Sequence, residues 1–361
     1  MKLLAISLPG LGNTLLLTPA LRLLKQKSPG SSITVLVMFQ SSKDLLDSNP
    51  YVDEVLHWDF IEKSRLSSLR FVMELRSRRF DASLLGYPSN RFEYNLIQWL
   101  IGSPKRLGHH YHHFDWQNLN FLNNLTVVES DLLHDVEENV RLIRQLGVQT
   151  DTIPKPEIFL TSSDHDFASR WLEERKLTKH FLIGFHAGSA VFKNQVRRRW
   201  DPEKFAQLGD HLTARYGCSI LLFGGKEDDT ANASIFSSMK TKPFLVQGAG
   251  ITQTASVMAR CKIMVTNDSS LMHLAAALEI PIVALFGPTD PRWVRPFQSP
   301  HRIVRKDLSC SPCFYYSPKP LTCYRPEKDF ACLKWIEPEE VLEAVDSFLK
   351  NPSSFEGASH V

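Results

Sequence analysis

The sequence predicts an α/β protein built of two Rossmann-like domains facing a cleft, the arrangement called GT-B. Three observations carry that expectation. Apolar runs of strand length alternate with amphipathic segments of helix length, beginning LLAISL, TLLLTPALRLLKQ and ITVLVMF, which is the pattern of βαβ units around a parallel sheet. The alternation breaks at a Pro- and Thr-containing stretch over residues 149–163 and then restarts. A chain of 361 residues also exceeds one ordinary core, since domains usually run about 100 to 200 residues. The expected division is residues 1–160 and residues 161–361, the second including a Cys-rich segment at 308–333.

Residues 2–8 read as a buried strand, followed by a Gly-containing turn and a helix from about residue 14. Strands are expected at residues 53–57 and 82–86, with helices at 66–78 and 91–100; Arg76, Arg78 and Arg79 form the solvated end of the first of these helices. Residues 106–122 (RLGHHYHHFDWQNLNFL) show neither period and are rich in His and aromatics. The part from Gly108 to Trp116 reads as an acceptor-side surface or as a packed aromatic cluster. Residues 135–146 return to an amphipathic helix that Gly147 closes. In the second half, helices are expected at residues 164–175, 202–216, 229–239, 252–259 and 271–278, and strands at 181–185, 219–223, 262–266 and 282–286. Ligands of open α/β sheets bind beyond the carboxyl ends of the strands, which points to the loops at residues 9–13, 186–199, 224–228, 267–270 and 287–290.

Composition removes several classes. Hydrophobic residues are 43% and charged residues 22%, with 17 Gly and 21 Pro spread along the chain, so disorder and collagen-like repetition have no support. A formal charge of +3 gives no field to hold a polyanion. Pro9, Gly10, Gly12 and Asn13 interrupt the first apolar stretch where a signal peptide needs a continuous run. No segment reaches the ~18 apolar residues of a spanning helix, and the expected location is the cytoplasm. Cys218 and Cys261 read as lone buried thiols.

The loop Leu8-Pro-Gly-Leu-Gly-Asn13 lets backbone approach a ligand at a helix N-terminus through Gly10 and Gly12. It is not a P-loop, and Leu15 stands where the dinucleotide fingerprint has its third glycine; a tight turn without a ligand is the competing reading. VTNDSSLMHLAAAL places a polar turn, Asn267-Asp268-Ser269-Ser270, between a strand and a helix opening with His273, which suits a diphosphate; simple helix capping is the alternative. GPTDP brings Thr289 to the same sheet edge. FHAGSAVFKNQVRRRW offers Gly188, Ser189, Lys193 and Arg197–Arg199, with arginines suited to phosphate oxygens or forming a solvated charge run. In FGGKEDD, Glu227 or Asp228 is placed to meet ribose hydroxyls or to cap the next helix. Cys310, Cys313, Cys323 and Cys332 form a C-x2-C-x9-C-x8-C array suited to tetrahedral zinc or iron, against free thiols or a redox dithiol.

Taken together, these segments resemble glycosyltransferase family 9, the heptosyltransferases that build the inner core of bacterial lipopolysaccharide. The likeness covers nearly the whole chain, through LLLTPALRLL, SPKRLGH, HDVEENVRLIRQLGV, HAGS, FGGKED, NDSSLMHLAAAL and FGPTDP, of which the last two are most specific. It implies an inverting transferase whose C-terminal domain holds a nucleotide sugar, ADP-heptose in the best-known members, while the N-terminal domain takes a lipopolysaccharide-core or related glycan or glycolipid acceptor. By position, Gly188 and Ser189 would touch the diphosphate. Arg198 stands where the family commonly has a phosphate-contacting Lys, two residues before Trp200. Asp228 or Glu227 would meet the ribose, and Asp268, Ser269, Ser270 and His273 would line sugar and diphosphate, with Ser270 replacing the usual Gly. Lys193, Arg198, the neighbouring Arg199 and two helix N-termini would meet the leaving group's charge, so no catalytic metal is expected.

The largest departure is Asn13, where the family usually has an Asp that deprotonates the acceptor. An amide cannot take that proton at neutral pH; Asp268, His110 and His186 are the substitutes, with Asn13 orienting the acceptor. The Cys segment looks like one found in many members, including relatives that heptosylate protein and hold iron there. The alternatives are therefore a protein heptosyltransferase with Cys-bound iron, a catalytically silent sugar-nucleotide-binding homologue, and a metal or redox module on an α/β scaffold. Nucleic-acid binding and hydride transfer lack their signatures. The expected partners are a nucleotide sugar and a glycan or glycolipid, with at most peripheral inner-membrane contact.

Overall fold

Apolar runs in the first half pair into one parallel sheet, described here, like the rest of the fold, from a computed structural model covering residues 1–350. The elements are β1 (Lys2–Ser7), α1 (Leu11–Lys27), β2 (Ser32–Val37), α2 (Gln40–Leu46), β3 (Glu54–His57), α3 (Arg65–Ser77), β4 (Ala82–Leu85), α4 (Phe92–Ile101), β5 (Lys105–His110), β6 (Leu125–Val128) and α5 (Asp135–Arg144). The strand order is β3-β2-β1-β4-β5-β6. β1 lies at the centre because its side chains are apolar on both faces. Leu3 and Ala5 pack with Leu17 and Leu21 of α1 and Val140 and Ile143 of α5; Leu4 and Ile6 pack with Val72 and Leu75 of α3 and Tyr94 and Ile101 of α4. Strands covered by helices on both faces read as continuous apolar runs, which is why β1 and β2 are plain in the sequence.

The second half repeats the plan. It contains α6 (Ser162–Glu174), β7 (Leu182–His186), α7 (Pro202–Tyr216), β8 (Ser219–Phe223), α8 (Asp229–Ser238), β9 (Phe244–Val246), α9 (Ile251–Met258), β10 (Ile263–Asn267), α10 (Ser270–Ala277), β11 (Ile282–Leu285), α11 (Pro291–Val294), β12 (His301–Val304), α12 (Ala331–Lys334) and α13 (Pro338–Lys350). The order β12-β11-β10-β7-β8-β9 is that of the first sheet in chain sequence, and all strand pairs in both sheets are parallel. Its core packs Ile183 and Phe185 of β7 against Phe205, Leu208 and Leu212 of α7 and Val341 and Val345 of α13. Thr161 and Asp164 form a reciprocal capping box that starts α6 just past the irregular stretch.

The chain divides into two units, Met1–Phe159 with Tyr315–Pro318, and Leu160–Phe314 with the chain from Lys319 onward. The protein is an α/β protein of two six-stranded parallel sheets. In each sheet the order reverses beside its first strand, between β1 and β4 and between β7 and β10. That reversal opens a crevice at the carboxyl ends of the strands, where ligands of such sheets bind.

Several elements differ from the expectations. Helix α1 begins at Leu11, with Gly10 as its N-cap, so Gly12 and Asn13 stand in its first turn rather than in a loop. Residues 106–122, read as lacking a period, contain most of β5. Helices α2 and α11 to α13 and strands β6, β9 and β12 carried no recognised signal. Among the described residues, no helix is long and apolar enough to cross a membrane.

Candidate active site

At the reversal of the second sheet, β7 and β10 pair side by side, with His186 opposite Thr266. The loops that leave them are fastened by Asn267, which is fully buried. Its Nδ2 donates to the carbonyls of Ala187 at 2.8 Å and Gly188 at 3.3 Å, and its Oδ1 accepts from the backbone N–H of Trp200 at 3.0 Å. One side chain therefore sets the spacing between the 187–189 loop, the arginine segment and the Asp268 turn.

The three consecutive arginines go three ways. Arg197 lies 5.8 Å over the Phe330 ring. Arg198 pairs with the carboxylate of Asp268, and its Nη2 also donates to the Asp268 carbonyl at 3.2 Å. Arg199 donates through Nη2 to the Ser189 carbonyl at 2.6 Å and to Asp228 Oδ1 at 2.8 Å. The reading of a solvated charge run is thereby overturned for Arg198 and Arg199, since both guanidinium groups are mostly buried against carboxylates.

Asp228 is held on its other oxygen by the N–H of Gly225 at 3.0 Å, while Glu227 is exposed on the adjoining 3-10 turn. Of these two carboxylates, Glu227 is the freer to meet a ligand. Gly188 is required by crowding: a Cβ there would lie 2.3 Å from Asp228 Oδ1 and 2.6 Å from His186 Cε1. Lys193 adopts a left-handed conformation, φ 54°, and its carbonyl accepts from Leu321 N at 2.8 Å.

Ser269 is the N-cap residue of α10, yet its side chain makes no capping bond; its Oγ lies 3.3 Å from Thr266 Oγ1. Ser270 is the first residue of the helix. Simple capping does not account for this turn, and its first N–H groups remain available to an anion. His273, one turn on, is buried, and burial lowers its pKa to about 4, Arg198 adding to the effect and Asp268 opposing it. It is neutral at physiological pH. Burial likewise holds His186 below the ordinary histidine range, against the opposing charge of Asp228, and its Nδ1 faces the Phe223 carbonyl at 3.2 Å.

Apart from Asp268 Oδ2, which is ion-paired with Arg198, three buried polar atoms along this edge have no hydrogen-bond partner among the described residues: Arg198 Nε, His273 Nδ1 and Thr289 Oγ1. Buried polar groups are nearly always satisfied in folded proteins. Three such atoms, at positions 198, 273 and 289, gather along this one strand edge.

In the first unit, the Gly10 carbonyl accepts the N–H groups of Asn13 at 3.0 Å and Thr14 at 3.3 Å. Thr14 Oγ1 continues a buried hydroxyl chain, 2.9 Å from Ser7 Oγ and 3.2 Å from Ser42 Oγ. Asn13 is partly exposed, and its side-chain amide makes no hydrogen bond among the described residues. The edge formed by β4, β5 and β6 carries a polar and aromatic cluster that the sequence did not resolve. Tyr87 donates to Glu129 at 3.0 Å, and burial raises the pKa of Glu129. His109 lies 3.3 Å from the buried Glu138. His110 Nδ1 lies 2.9 Å from Asp115 Oδ2, with both groups partly exposed. In the segment from Gly108 to Trp116, His109 and Tyr111 are packed inside, as the cluster reading expects, and His110, His112 and Trp116 face out.

The sequence profile of glycosyltransferase family 9 (heptosyltransferase) matches residues 68–324. The chain belongs to that family. It is 27% identical over 325 residues to lipopolysaccharide heptosyltransferase 2 of Salmonella typhimurium, covering 84% of this chain and 88% of the relative. The fold is shared with a family 9 glycosyl transferase of Veillonella parvula, at 24% identity, TM-score 0.76 and 97% of each chain. It is shared as well with the Escherichia coli ADP-heptose LPS heptosyltransferase II, at 24% identity, TM-score 0.75, 98% of this chain and 99% of that one. The protein is a glycosyltransferase.

The Cys segment of this family 9 enzyme brings four thiols into one region. The thiols of Cys310, Cys313 and Cys323 stand near enough to Cys332 to add to the burial that raises it to about 11, and all six cysteines are free. Among the described residues, however, no group of three or more His, Cys, Asp or Glu is arranged to hold a metal ion. Cys332 is turned toward the Phe330 carbonyl, 3.8 Å away, and Cys310, Cys313 and Cys323 lie on the irregular chain before α12. No step of the transfer is routed through them. Asn267, read from the sequence only as the first residue of the polar turn, is instead the clasp that fastens the neighbouring loops.

Proposed function

We propose that the enzyme transfers heptose from ADP-heptose to a lipopolysaccharide-core acceptor with inversion at the anomeric carbon. The observation that carries this is the set of unsatisfied buried polar atoms at the β7–β10 reversal, beside an uncapped helix N-terminus and Arg198. In this reading the diphosphate lies against Gly188, Ser189 and the first turn of α10, and Arg198, kept in place by Asp268, presents its unpaired Nε–H to the phosphate oxygens as charge develops on the leaving group. Lys193 and Arg199 supply further positive charge, and Glu227 meets the ribose. Neutral His273 donates or accepts a hydrogen bond beside the sugar without adding charge, with Ser269, Ser270 and Thr289 lining the same edge. No divalent ion takes part in the step. The names of the relatives support both donor and acceptor class.

The acceptor binds on the loops of the first unit, oriented by Gly10, Gly12 and the free amide of Asn13. Asn13 cannot take the acceptor proton. Asp268 is engaged by Arg198 and His186 is buried, which leaves His110 as the base: Asp115 accepts from Nδ1–H, so Nε2 carries the lone pair. A cytoplasmic location fits six free thiols. The test is a transfer assay with ADP-heptose and a lipopolysaccharide inner-core acceptor in EDTA, with the new linkage assigned by NMR. Transfer with the anomeric configuration opposite to the donor's supports the reading. Binding of ADP-heptose without transfer to any core acceptor would instead establish the silent homologue.

A further inference from the structure

Two helices on one face of the first sheet carry apolar stripes that face away from it. On α3 these are Leu66, Leu69 and Met73, and on α4 they are Phe92, Leu96 and Trp99, all exposed, Leu66 by 60%. The spacings i, i+3, i+7 and i, i+4, i+7 put each trio on one side of its helix. The opposite sides, Val72 and Leu75 on α3 and Tyr94 and Ile101 on α4, supply the core beneath. The helices lie side by side, and Arg76 Nη1 donates to the Leu100 carbonyl at 2.9 Å. The stripes are therefore neighbours. Trp116, 72% exposed, stacks on exposed Phe121 at 4.4 Å, and the turn holding Phe121 packs against α4. Monomeric proteins rarely leave such a contiguous apolar surface uncovered.

We infer that this face of α3 and α4 seats the enzyme on an anionic lipid bilayer. Charge selects that occupant. Residues 61–79 hold six basic against two acidic side chains, although the whole chain is only +3. Arg65, Arg70 and Arg76 are exposed on α3 beside the stripe, with Glu74 the acid among them. An apolar strip rich in Trp and Phe and flanked by arginine is the composition of a helix lying in the headgroup region, where the rings sit at the boundary and the cations meet lipid phosphates. A second copy of this chain would bring arginine against arginine. The inference is independent of the transfer reading, because its test needs neither donor nor acceptor.

The full chain is sedimented with vesicles of phosphatidylcholine alone and with about one third phosphatidylglycerol, in about 0.1 M and about 0.5 M salt, where screening lengths differ. The variants are Leu69→Ser with Trp99→Ser, and Arg65→Glu with Arg70→Glu, all at exposed positions outside the transfer machinery. The expected result is binding to the anionic vesicles at low salt, weakened at least tenfold by high salt and at least tenfold by either pair of substitutions. Three results would each overturn the inference: no vesicle binding; equal binding to both vesicle types by wild type and the arginine variant; or a dimer in light scattering that Leu69→Ser with Trp99→Ser dissolves.

Discussion

Burying His273 in its neutral form makes this enzyme sensitive to acid in a definite window. Its pKa is about 4 in the folded protein, against about 6.5 for an ordinary histidine. Between those values the unfolded chain binds a proton that the folded chain refuses, so stability falls as the pH falls. The contribution is intact above about pH 6.5 and is lost progressively down to about pH 4. At 1.36 kcal/mol per unit, the whole loss is about 3 kcal/mol, of which about 2 kcal/mol is gone by pH 5. His273→Gln keeps a polar side chain that does not titrate. Urea unfolding of both proteins at pH 7.5, 6 and 5 isolates the term, because His109, His186 and His301, also held low by burial, are common to both. The expected result is a wild-type loss between pH 7.5 and 5 that exceeds the variant's by about 2 kcal/mol. Parallel stability curves would refute the reasoning, and with it the assignment of His273 as an uncharged member of the donor site.

Two further outcomes follow from the geometry. Asn267→Ala strands the Trp200 N–H and the Ala187 carbonyl in the interior, which costs roughly 3 kcal/mol in urea unfolding, and it weakens ADP-heptose binding by loosening the loop at Gly188. Asn13→Ala raises the acceptor KM up to about tenfold, the worth of one neutral hydrogen bond, with kcat little changed, whereas His110→Ala lowers kcat by about a hundredfold or more with little effect on KM. Exchange of those two patterns in steady-state kinetics would remove His110 as the proton acceptor.

The sheets were legible where strands are buried on both faces. β1, β2, β7, β10 and β11 are nearly uninterrupted apolar runs, and their alternation with amphipathic helices fixes the class. β3 is half-buried throughout and β6 is half-buried with Val128 exposed, β9 has only three residues, and β12 is the polar edge strand His301–Val304; of these only β3 gave a signal. β5 was hidden because Lys105, Arg106 and His110 surround a short apolar centre. The start of α1 was misplaced because Gly10 and Gly12 suggest a loop, although Gly12 is buried inside the first turn. At the site, the Asp268 turn was visible because a strand, a polar quartet and an apolar helix are contiguous there. The pairing of Arg199 with Asp228 and the clasp at Asn267 join residues 29 and up to 80 positions apart, and no local pattern carries such distances.

The central claim is that the carboxyl edge of the second sheet holds a nucleotide sugar without a metal. Calorimetric titration of ADP-heptose into the enzyme in EDTA, repeated with Arg198→Gln, tests it most directly. Loss of charge-assisted hydrogen bonds worth about 1.5 to 3 kcal/mol predicts saturable binding by wild type and affinity roughly ten to a hundred times lower in the variant. Absence of binding by the wild type in EDTA, or equal affinity in the two proteins, would contradict the account.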